Sequence, residues 1–314
     1  MSTSIVPVHY VNSFNSNVWH LSQQKASKTA NLVRVEMQKA EKQFWDYYGI
    51  SDLPTERVNK YADVVPGETT RGRRMATYKN YEKIEYVDHL DKLNMIHDPQ
   101  GPISQAFQMA YGKLMDDIIL AGALGTSYDG KEGATPVVLP TSQKLVAFDG
   151  ATTTGVGLNV PTLRAIKKKF EQNQVEGQIV FVISAEETDS LLGITAVTSA
   201  DFNSVKALVN GAVDTFMGIQ FVSCERIVRP ASNVTYTVTN GAYGAGTGTV
   251  TASKGRRCVA FVKQGVLMVK AEDMSTMIDR LPTKGDVIQI YSKMSFGATR
   301  LEEKCVLEVV TSEL

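Results

Sequence analysis

The chain has 314 residues, of which 43% are hydrophobic and 21% charged, so it can bury the core of one large or two medium domains. Lys and Arg number 33 and Asp and Glu also 33, which excludes the basic excess that drives non-specific phosphate binding. The cysteines form no CxxC pair, so we expect reduced thiols rather than a disulfide framework or a zinc site. No secretory signal and no apolar run of about 18 residues is present, which predicts a soluble, unexported protein without membrane contact.

The N-terminal segment is polar. Residues 1–30 are rich in Ser, Asn and Gln with scattered apolar residues, which predicts an extended arm. Apolar residues then recur at steps of roughly three to five positions up to Gly49, a pattern that predicts a helix over residues 27–48.

A second polar segment, at 49–98, contains the basic sequence RGRR at 71–74. The residues after it are rich in Tyr, Ile and Val without a continuous apolar run, which favours an exposed β-hairpin over a core strand. Such a hairpin has little core of its own. We therefore expect it to lie on another surface.

Residues 102–124 carry the clearest helical pattern of the chain. Pro102 and Gly125 stand where a helix start and a helix stop are favoured. At 1.5 Å per residue this helix would be roughly 35 Å long, enough to cross a whole domain. The apolar residues expected to face the core recur at spacings of three and four: Ile103, Phe107, Ala110, Leu114, Ile118 and Ala121.

The centre of the sequence alternates predicted helices and strands. A connector rich in Gly, Thr and Pro at 126–157 can hold only short strands, at 137–139 and 144–148. Ser184 and Glu187 have the S-x-x-E spacing of a capping box, which predicts the start of a short helix. The other predicted elements are a helix at 159–174, a buried strand at 179–183, a helix at 201–210, a strand at 218–223 and a hairpin at 235–255.

The C-terminal segment from residue 257 predicts three strands. The first, at 258–271, is followed by a polar stretch and by two strands within 285–310. Residues 297–303 separate those two strands, which predicts a hairpin with a turn longer than two residues.

No residue pattern predicts catalysis. The Gly-rich segment 241–248 is followed by strand-like residues and lacks the Lys of a phosphate-binding loop, so we interpret it as a hairpin tip rather than a nucleotide site. The 4 histidines include no i, i+4 pair, and a GxSxG sequence is absent. We therefore expect a protein without catalytic residues, metal ligands or cofactors.

Six charged residues are the candidates for contacts between subunits. The arginines suit either a solvated loop tip or a clamp onto acidic side chains of a neighbour. Adjacent residues on a helix point about 100° apart, so the two aspartates do not share a site, and a solvated or interface face is the simpler interpretation. The six are Arg71, Arg73, Arg74, Lys113, Asp116 and Asp117.

Residues 205–227, VKALVNGAVDTFMGIQFVSCERI, combine a helix, a Gly, an apolar turn and a Gly-Ile-Gln-Phe-Val strand. This order resembles the central domain of the major capsid proteins of tailed bacteriophages, whose fold is shared with encapsulins and the herpesvirus capsid floor. Other segments carry the resemblance too: RRMATYKNYEKIEYVDHLD followed by DPQGPISQAFQMAYGKLMDDIILAGALG, and GDVIQIYSKMSFGATRLEEKCVLEVV. The resemblance covers almost the whole chain.

The resemblance implies an α+β capsid fold. Its parts would be an N-terminal arm at 1–48, an extended loop (a β-hairpin) at 49–100, a peripheral domain with a long spine helix at 101–155, an axial domain at 156–256 and closing peripheral-domain strands at 257–314. The extended loop of one subunit would lie over the spine helix of its neighbour, with the arm beneath. No motif places the Lys, Asn and Glu of the isopeptide crosslink found in some members.

The function that the resemblance implies is structural. The chain would self-assemble into pentamers and hexamers of an icosahedral virion head enclosing phage dsDNA, built in the host cytoplasm. Because the extended loop begins at residue 49, a separate scaffolding protein is implied, together with a portal protein and weak, non-specific contact with DNA. An encapsulin-type shell is the alternative within the structural class. A soluble α/β enzyme built on the strand at 179–183 is the alternative from another class.

Overall fold

The structure is a computed structural model, and its described residues are 21–51, 53–54, 56, 67–88, 100–147, 156–193, 215–230, 234–241, 244–250, 254–284 and 287–313. The helices are α1 (Gln100–Leu124), α2 (Val160–Gln172) and α3 (Ala185–Leu192). The strands are β1 (Arg34–Met37), β2 (Lys42–Tyr48), β3 (Arg71–Thr77), β4 (Lys79–Val87), β5 (Ser127–Asp129), β6 (Thr135–Val137), β7 (Lys144–Val146), β8 (Ile179–Ile183), β9 (Thr215–Phe216), β10 (Ile219–Ser223), β11 (Val234–Gly241), β12 (Gly244–Val250), β13 (Gly255–Val262), β14 (Val266–Leu281), β15 (Val287–Arg300) and β16 (Val306–Ser312).

The strands among the described residues form four sheets. The spine sheet has the order β1-β14-β15-β4, and the six-stranded sheet has the order β7-β16-β13-β8-β10-β9. The loop sheet has the order β2-β3-β5-β6, and β11 pairs with β12 alone. Apolar side chains from α1, the spine sheet and the six-stranded sheet share one continuous core. The molecule is therefore a mixed helix and sheet structure in which α1 joins two sheets.

Helix α1 confirms the helix predicted at 102–124, but its buried face differs from the expected one. Leu114 and Ile118 are only partly buried, and Ala121 is exposed. The spacing of the apolar residues could not identify the buried face, because apolar residues of α1 occur on several sides of the helix. The face that reaches the core consists of Phe107, Tyr111, Ile119, Leu120 and Ala123.

Gly122 brings α1 into direct contact with β15. A Cβ atom at this position would lie 2.6 Å from the carbonyl oxygen of Ala298, closer than van der Waals contact permits. Tyr111 fixes the same pair of elements, since its hydroxyl donates to the carbonyl oxygen of Ser292 at 3.0 Å. The backbones of α1 and β15 therefore approach closely at Gly122, and Tyr111 adds a hydrogen bond between the same two elements.

The elements at 159–183 and 215–223 follow the sequence prediction closely. The side chain of Asn159 caps α2 by accepting from the backbone N–H of Thr162 at 2.9 Å, and the apolar face of α2 is buried. Strand β10 pairs in parallel with β8. Met217 and Gly218 both have positive φ, as a two-residue turn between β9 and β10 requires. The helix predicted at 201–210 lies outside the described residues, as does the arm at 1–20.

The helix predicted at 27–48 is wrong. This segment contains one short 3-10 turn, Ala30–Leu32, and the strands β1 and β2. The amide of Gln38 donates to the carbonyl oxygens of Ala40 and Glu41 and closes the bend between the two strands. The segment is rich in β-branched and aromatic residues, which favour strands and outweigh an irregular apolar spacing.

The hairpin predicted for the residues that follow RGRR is also wrong. Strand β3 pairs with β2 and β5, whereas β4 pairs with β15 of a different sheet. Only one residue, Tyr78, separates β3 from β4, so the chain passes directly from one sheet to the next. Strand β4 is exposed along most of its length, as the sequence predicted, with Tyr81 partly buried and Val87 buried, but its partner β15 is distant in sequence.

The predicted C-terminal hairpin is wrong as well. Strand β15 belongs to the spine sheet and β16 to the six-stranded sheet. The strand predicted at 258–271 is divided at Lys263–Gly265 into β13 and β14, and β14 continues through the supposed polar stretch. The long hairpin of the structure is β14 with β15. The predicted hairpin at 235–255 is confirmed as β11 and β12, and the connector holds β5, β6 and β7.

Candidate intersubunit surfaces

Arg73 lies on the exposed face of the loop sheet and is paired across it with Asp46. Its Nε atom is 2.6 Å from Oδ1 of Asp46, and its Nη2 atom is 3.2 Å from Oδ2. This two-pronged hydrogen bond lowers the pKa of Asp46 below its ordinary value. Both side chains remain open to solvent, so they keep sites for a further partner.

Arg71 lies two residues before Arg73 on the same strand. Its guanidinium carbon is 5.5 Å from the ring centroid of Tyr48, a cation–π contact. Together with Asp46 and Lys131 these residues line an open groove at one end of the loop sheet. The groove has both charge signs and an aromatic wall, so it suits a polypeptide better than a simple anion.

Arg74 has a different role from the other two arginines. Its side chain is 3% exposed, and its Nη2 atom donates to both carboxylate oxygens of Glu303 at 2.9 and 3.2 Å. Alternate strand residues face opposite sides of a sheet, so Arg74 points inward where Arg73 points outward. The buried Arg74 ties β3 to the chain after β15 and does not belong to a solvated loop tip.

Arg300 extends this network to the end of the spine helix. Its Nη1 atom donates to the carbonyl oxygens of Ala123 and Gly125, both at 2.8 Å, and its Nε atom lies 3.6 Å from Glu303. These are carbonyl groups that the last turn of a helix leaves without internal partners. Burial lowers the pKa of Arg300, and Glu303 opposes that shift. Arg300 and Glu303 were not identified from the sequence, because a lone Arg at the end of a predicted strand was the only indication of this contact.

Asp116, one of the six candidates, is fully buried and bonded within its own subunit. Its carboxylate accepts from the Ser27 hydroxyl at 2.6 Å, the Thr29 hydroxyl at 2.7 Å and the Thr29 backbone N–H at 3.0 Å. The backbone N–H of Lys28 and the amide of Gln24 donate to it as well. The residue therefore fixes the arm to the spine helix instead of facing a neighbour.

Lys113 and Asp117 stand on either side of this attachment. The Nζ atom of Lys113 donates to the amide oxygen of Gln23 at 2.6 Å. Asp117 accepts from both the Nε and Nη2 atoms of Arg226, with Nε at 2.7 Å. These pairs are exposed, so they remain available to a neighbouring chain in a way that Asp116 does not.

Two exposed apolar patches were not predicted from the sequence. The first continues from β2, where Ile50 is 80% and Leu53 is 89% exposed. The second lies on the outer face of the spine sheet, where Ile84 and Met277 flank Tyr291 across three adjacent strands. Exposed apolar patches on a protein surface commonly mark contacts with other proteins.

The described residues contain no group of three or more His, Cys, Asp or Glu side chains that could hold a metal ion. Among these same residues, no helix has the length and apolar character needed to span a membrane.

The comparison with protein families identifies the class. The model for "Phage capsid protein" matches residues 6–313, and the chain therefore belongs to the phage capsid protein family. It is a structural, non-enzymatic protein of which many copies build a virion capsid. The expectation of a tailed-phage major capsid protein is confirmed, and the encapsulin alternative is not favoured.

Solved capsid structures share the fold over nearly the whole chain. The capsid structure of cyanophage P-SCSP1u is 17% identical, with a TM-score of 0.73, and the match covers 98% of this chain and 94% of that one. The capsid of Ralstonia phage GP4 is 12% identical, with a TM-score of 0.69 and coverage of 100% and 98%. The cyanophage Pam1 capsid is 11% identical, with a TM-score of 0.69 and coverage of 100% and 99%. A comparison with curated proteins gave no match.

Proposed function

We propose that this chain forms the pentamers and hexamers of an icosahedral head that encloses phage dsDNA. The observation that carries the proposal is the capsid fold along the full chain, combined with exposed apolar residues where β2 leaves the loop sheet. Large apolar side chains such as Ile50 and Leu53 contribute nothing to the fold while solvated, and they gain stabilisation when a neighbour covers them. Repeated over many copies, such modest contacts hold a closed shell together.

The proposed division of labour follows the capsid parts: the arm at 1–48, the extended loop at 49–100, the peripheral domain with its spine helix at 101–155, the axial domain at 156–256 and the closing strands at 257–314. Three of these parts supply strands to the spine sheet, since β1, β4, β14 and β15 come from the arm, the loop and the closing segment. The peripheral domain would then be assembled from distant parts of one chain.

The proposed contacts between subunits use the exposed charged residues. Arg71 and Arg73, with the apolar residues beside them, would dock on the peripheral domain of the adjacent subunit, and Lys113 and Asp117 would receive a neighbouring loop. Arg74 and Asp116 support these surfaces from inside the subunit. The two-pronged geometry of Arg73 suits an acidic side chain of the partner as well as it suits Asp46.

The proposed partners are a separate scaffolding protein, a portal protein and packaged dsDNA, with assembly in the host cytoplasm. The balanced charge of the chain favours weak, non-specific contact with DNA over a dedicated binding site, because few phosphates can be neutralised by a chain without a basic excess. The scaffold would control curvature, since identical subunits must meet at slightly different angles in pentamers and hexamers.

The experiment is assembly of the purified chain with and without a candidate scaffolding protein from the same phage. Electron microscopy and sedimentation should show hollow polyhedral particles of megadalton mass with scaffold, and smaller oligomers without it. Persistent monomers under both conditions would contradict the proposal. Particles that form equally well and with uniform size from the chain alone would contradict the role of a scaffold.

A further inference from the structure

Among the described residues, strand β1 forms an edge of the spine sheet, and half of its backbone groups point away from that sheet. It pairs in parallel with β14 over Arg34–Met37, and the backbone N–H of Gln38 donates to the carbonyl oxygen of Lys270 at 2.7 Å. In this register the even-numbered residues bond to β14. Val35 and Met37 therefore direct their N–H and C=O groups toward the open edge.

The side chains of this edge are apolar and uncovered. Val35 is 44% exposed and Met37 is 57% exposed, and they lie on the same face because strand residues alternate. The charged residues of β1 lie on the other face, where Glu36 accepts from Arg34 and from the indole N–H of Trp45. The edge thus lacks the outward Lys or Pro that commonly prevents strand addition.

The first residues of the chain have the composition of a strand that could occupy this edge. Residues 1–20 contain no Lys, Arg, Asp or Glu, and residues 5–11 (IVPVHYV) are mostly β-branched or aromatic. A strand added to an edge is paired on one side only, so Pro7 is tolerated if its missing N–H faces outward. In that register Val6, Val8 and Tyr10 would bond to β1.

We propose that residues 5–11 of a neighbouring subunit add to the open edge of β1 as a fifth strand of the spine sheet. The inference rests on the proposed function, because it needs a second copy alongside. Fully extended, the residues 12–20 that separate this segment from Leu21 reach roughly 30 Å, about the diameter of a small domain. The chain begins that path at Leu21, which is 86% exposed beside the attachment of the arm to the spine helix. Backbone bonds would supply affinity, and Val35 and Met37 would supply apolar contacts.

The first test is disulfide crosslinking in assembled shells. Val35→Cys is combined in turn with Val6→Cys, Val8→Cys and Tyr10→Cys, and the oxidised shells are run on a non-reducing gel. We expect covalent multimers of the chain in at least one combination. Val35→Cys alone is the control, and its background is low because Cys224, Cys258 and Cys305 are buried. Crosslinked single chains would show an arm folded onto its own subunit, and shells without any crosslink would show another arrangement; both overturn the proposal.

The second test removes only the outward donor. Met37→Pro deletes an N–H that points away from β14, so the ladder within the subunit is retained, and Met37→Ala is the control that shortens the side chain but keeps the donor. We expect free subunits of both variants to melt like the parent, and shells of the proline variant to lose protease protection of residues 5–11. Equal protection in both shells overturns the proposal. A parent chain that forms no shells would instead contradict the proposed function.

Discussion

Asp116 on the spine helix accepts hydrogen bonds from both the hydroxyl and the backbone N–H of Thr29, at 2.7 and 3.0 Å, from a segment 87 residues earlier in the chain. The carboxylate accepts hydrogen bonds from several donors of the arm that would otherwise bond to water. An acidic residue on a helix surface has thus become the attachment point of the arm, and Gly112 one turn earlier lets the backbone of Ala26 and Ser27 approach closely.

Asp116→Asn should release the arm and lower the free energy of unfolding of the subunit by about 2–4 kcal/mol, because an amide cannot accept from this many donors. Thermal unfolding of the free subunit measures the loss, and limited proteolysis at Lys25 and Lys28 measures the release. The matched control is Asp117→Asn, whose exposed ion pair with Arg226 should contribute less than about 1 kcal/mol. Equal effects of the two variants would contradict the assigned role of Asp116.

Arg74→Ala should destabilise the free subunit, whereas Arg73→Ala should weaken the assembled shell. Loss of Arg74 leaves Glu303 with Arg300 as its remaining partner, so we expect the subunit to be destabilised by about 1–3 kcal/mol. Loss of Arg73 should leave the melting of the free subunit unchanged and produce shells that dissociate at lower salt concentration. Chemical denaturation measures the first effect, and sedimentation across a salt series measures the second. If shells of Arg73→Ala are as salt-resistant as those of the parent, Arg73 bonds to Asp46 but makes no contact with a neighbouring subunit.

Glu187 should make the stability of the subunit depend on pH. The carboxyl group is fully buried, accepts from the backbone N–H of Leu158 at 2.6 Å, and has its pKa raised to about 7 chiefly by burial. A raised pKa means that the folded state binds the proton more tightly, so stability falls as pH rises from about 4.5 to about 7.

Glu187→Gln should remove this dependence because the amide is neutral at every pH. Thermal unfolding should show that the free energy of unfolding of the variant, relative to that of the parent, rises by up to about 3 kcal/mol between pH 4.5 and pH 7.5. The comparison is the difference between the two proteins at each pH, which cancels the groups that they share. A constant difference across this range would contradict the burial of an ionisable carboxyl group.

Gly122→Ala should destabilise the subunit although alanine is the better helix former. The added methyl would lie 2.6 Å from the carbonyl oxygen of Ala298, and separating α1 from β15 should cost about 1–3 kcal/mol. Gly101→Ala in the same helix is the control, because a methyl group added there would meet no atom within 4 Å, and helix propensity should stabilise this variant by about 0.5 kcal/mol. Calorimetry of both variants decides between packing and propensity.

The sequence predicts elements that are held by local patterns. Asn159 and Ser184 each accept from a backbone N–H at the start of a helix, as their spacing indicates. The capping box is only half formed, however, because Glu187 turns away to Leu158. That partner lies 29 residues away, and a tertiary hydrogen bond has replaced the local one.

The contacts that connect distant segments could not be predicted. Arg74 and Glu303 are 229 residues apart, and nothing in RGRR distinguishes the buried arginine from the exposed one until the strand and its partner are known. Similarly, the polar and exposed β4 has no local pattern that identifies its partner, which is β15 near the other end of the chain. Strand pairing of this kind depends on the whole chain, whereas helix caps depend on four residues.

The contact of Arg300 with the end of the spine helix determines where the subunit can bend. The Arg300 guanidinium donates to the carbonyl oxygens of Ala123, Gly125 and Val137, and Glu303 links it to Arg74 in the middle of β3. These contacts join the end of α1, the connector and β3 through the buried Arg300 and Arg74, so we expect the three segments to move together. Toward Arg71, β2 and β3 are joined by their backbone ladder and by the exposed pair of Arg73 with Asp46, and we expect the subunit to adjust its angle to neighbouring copies there.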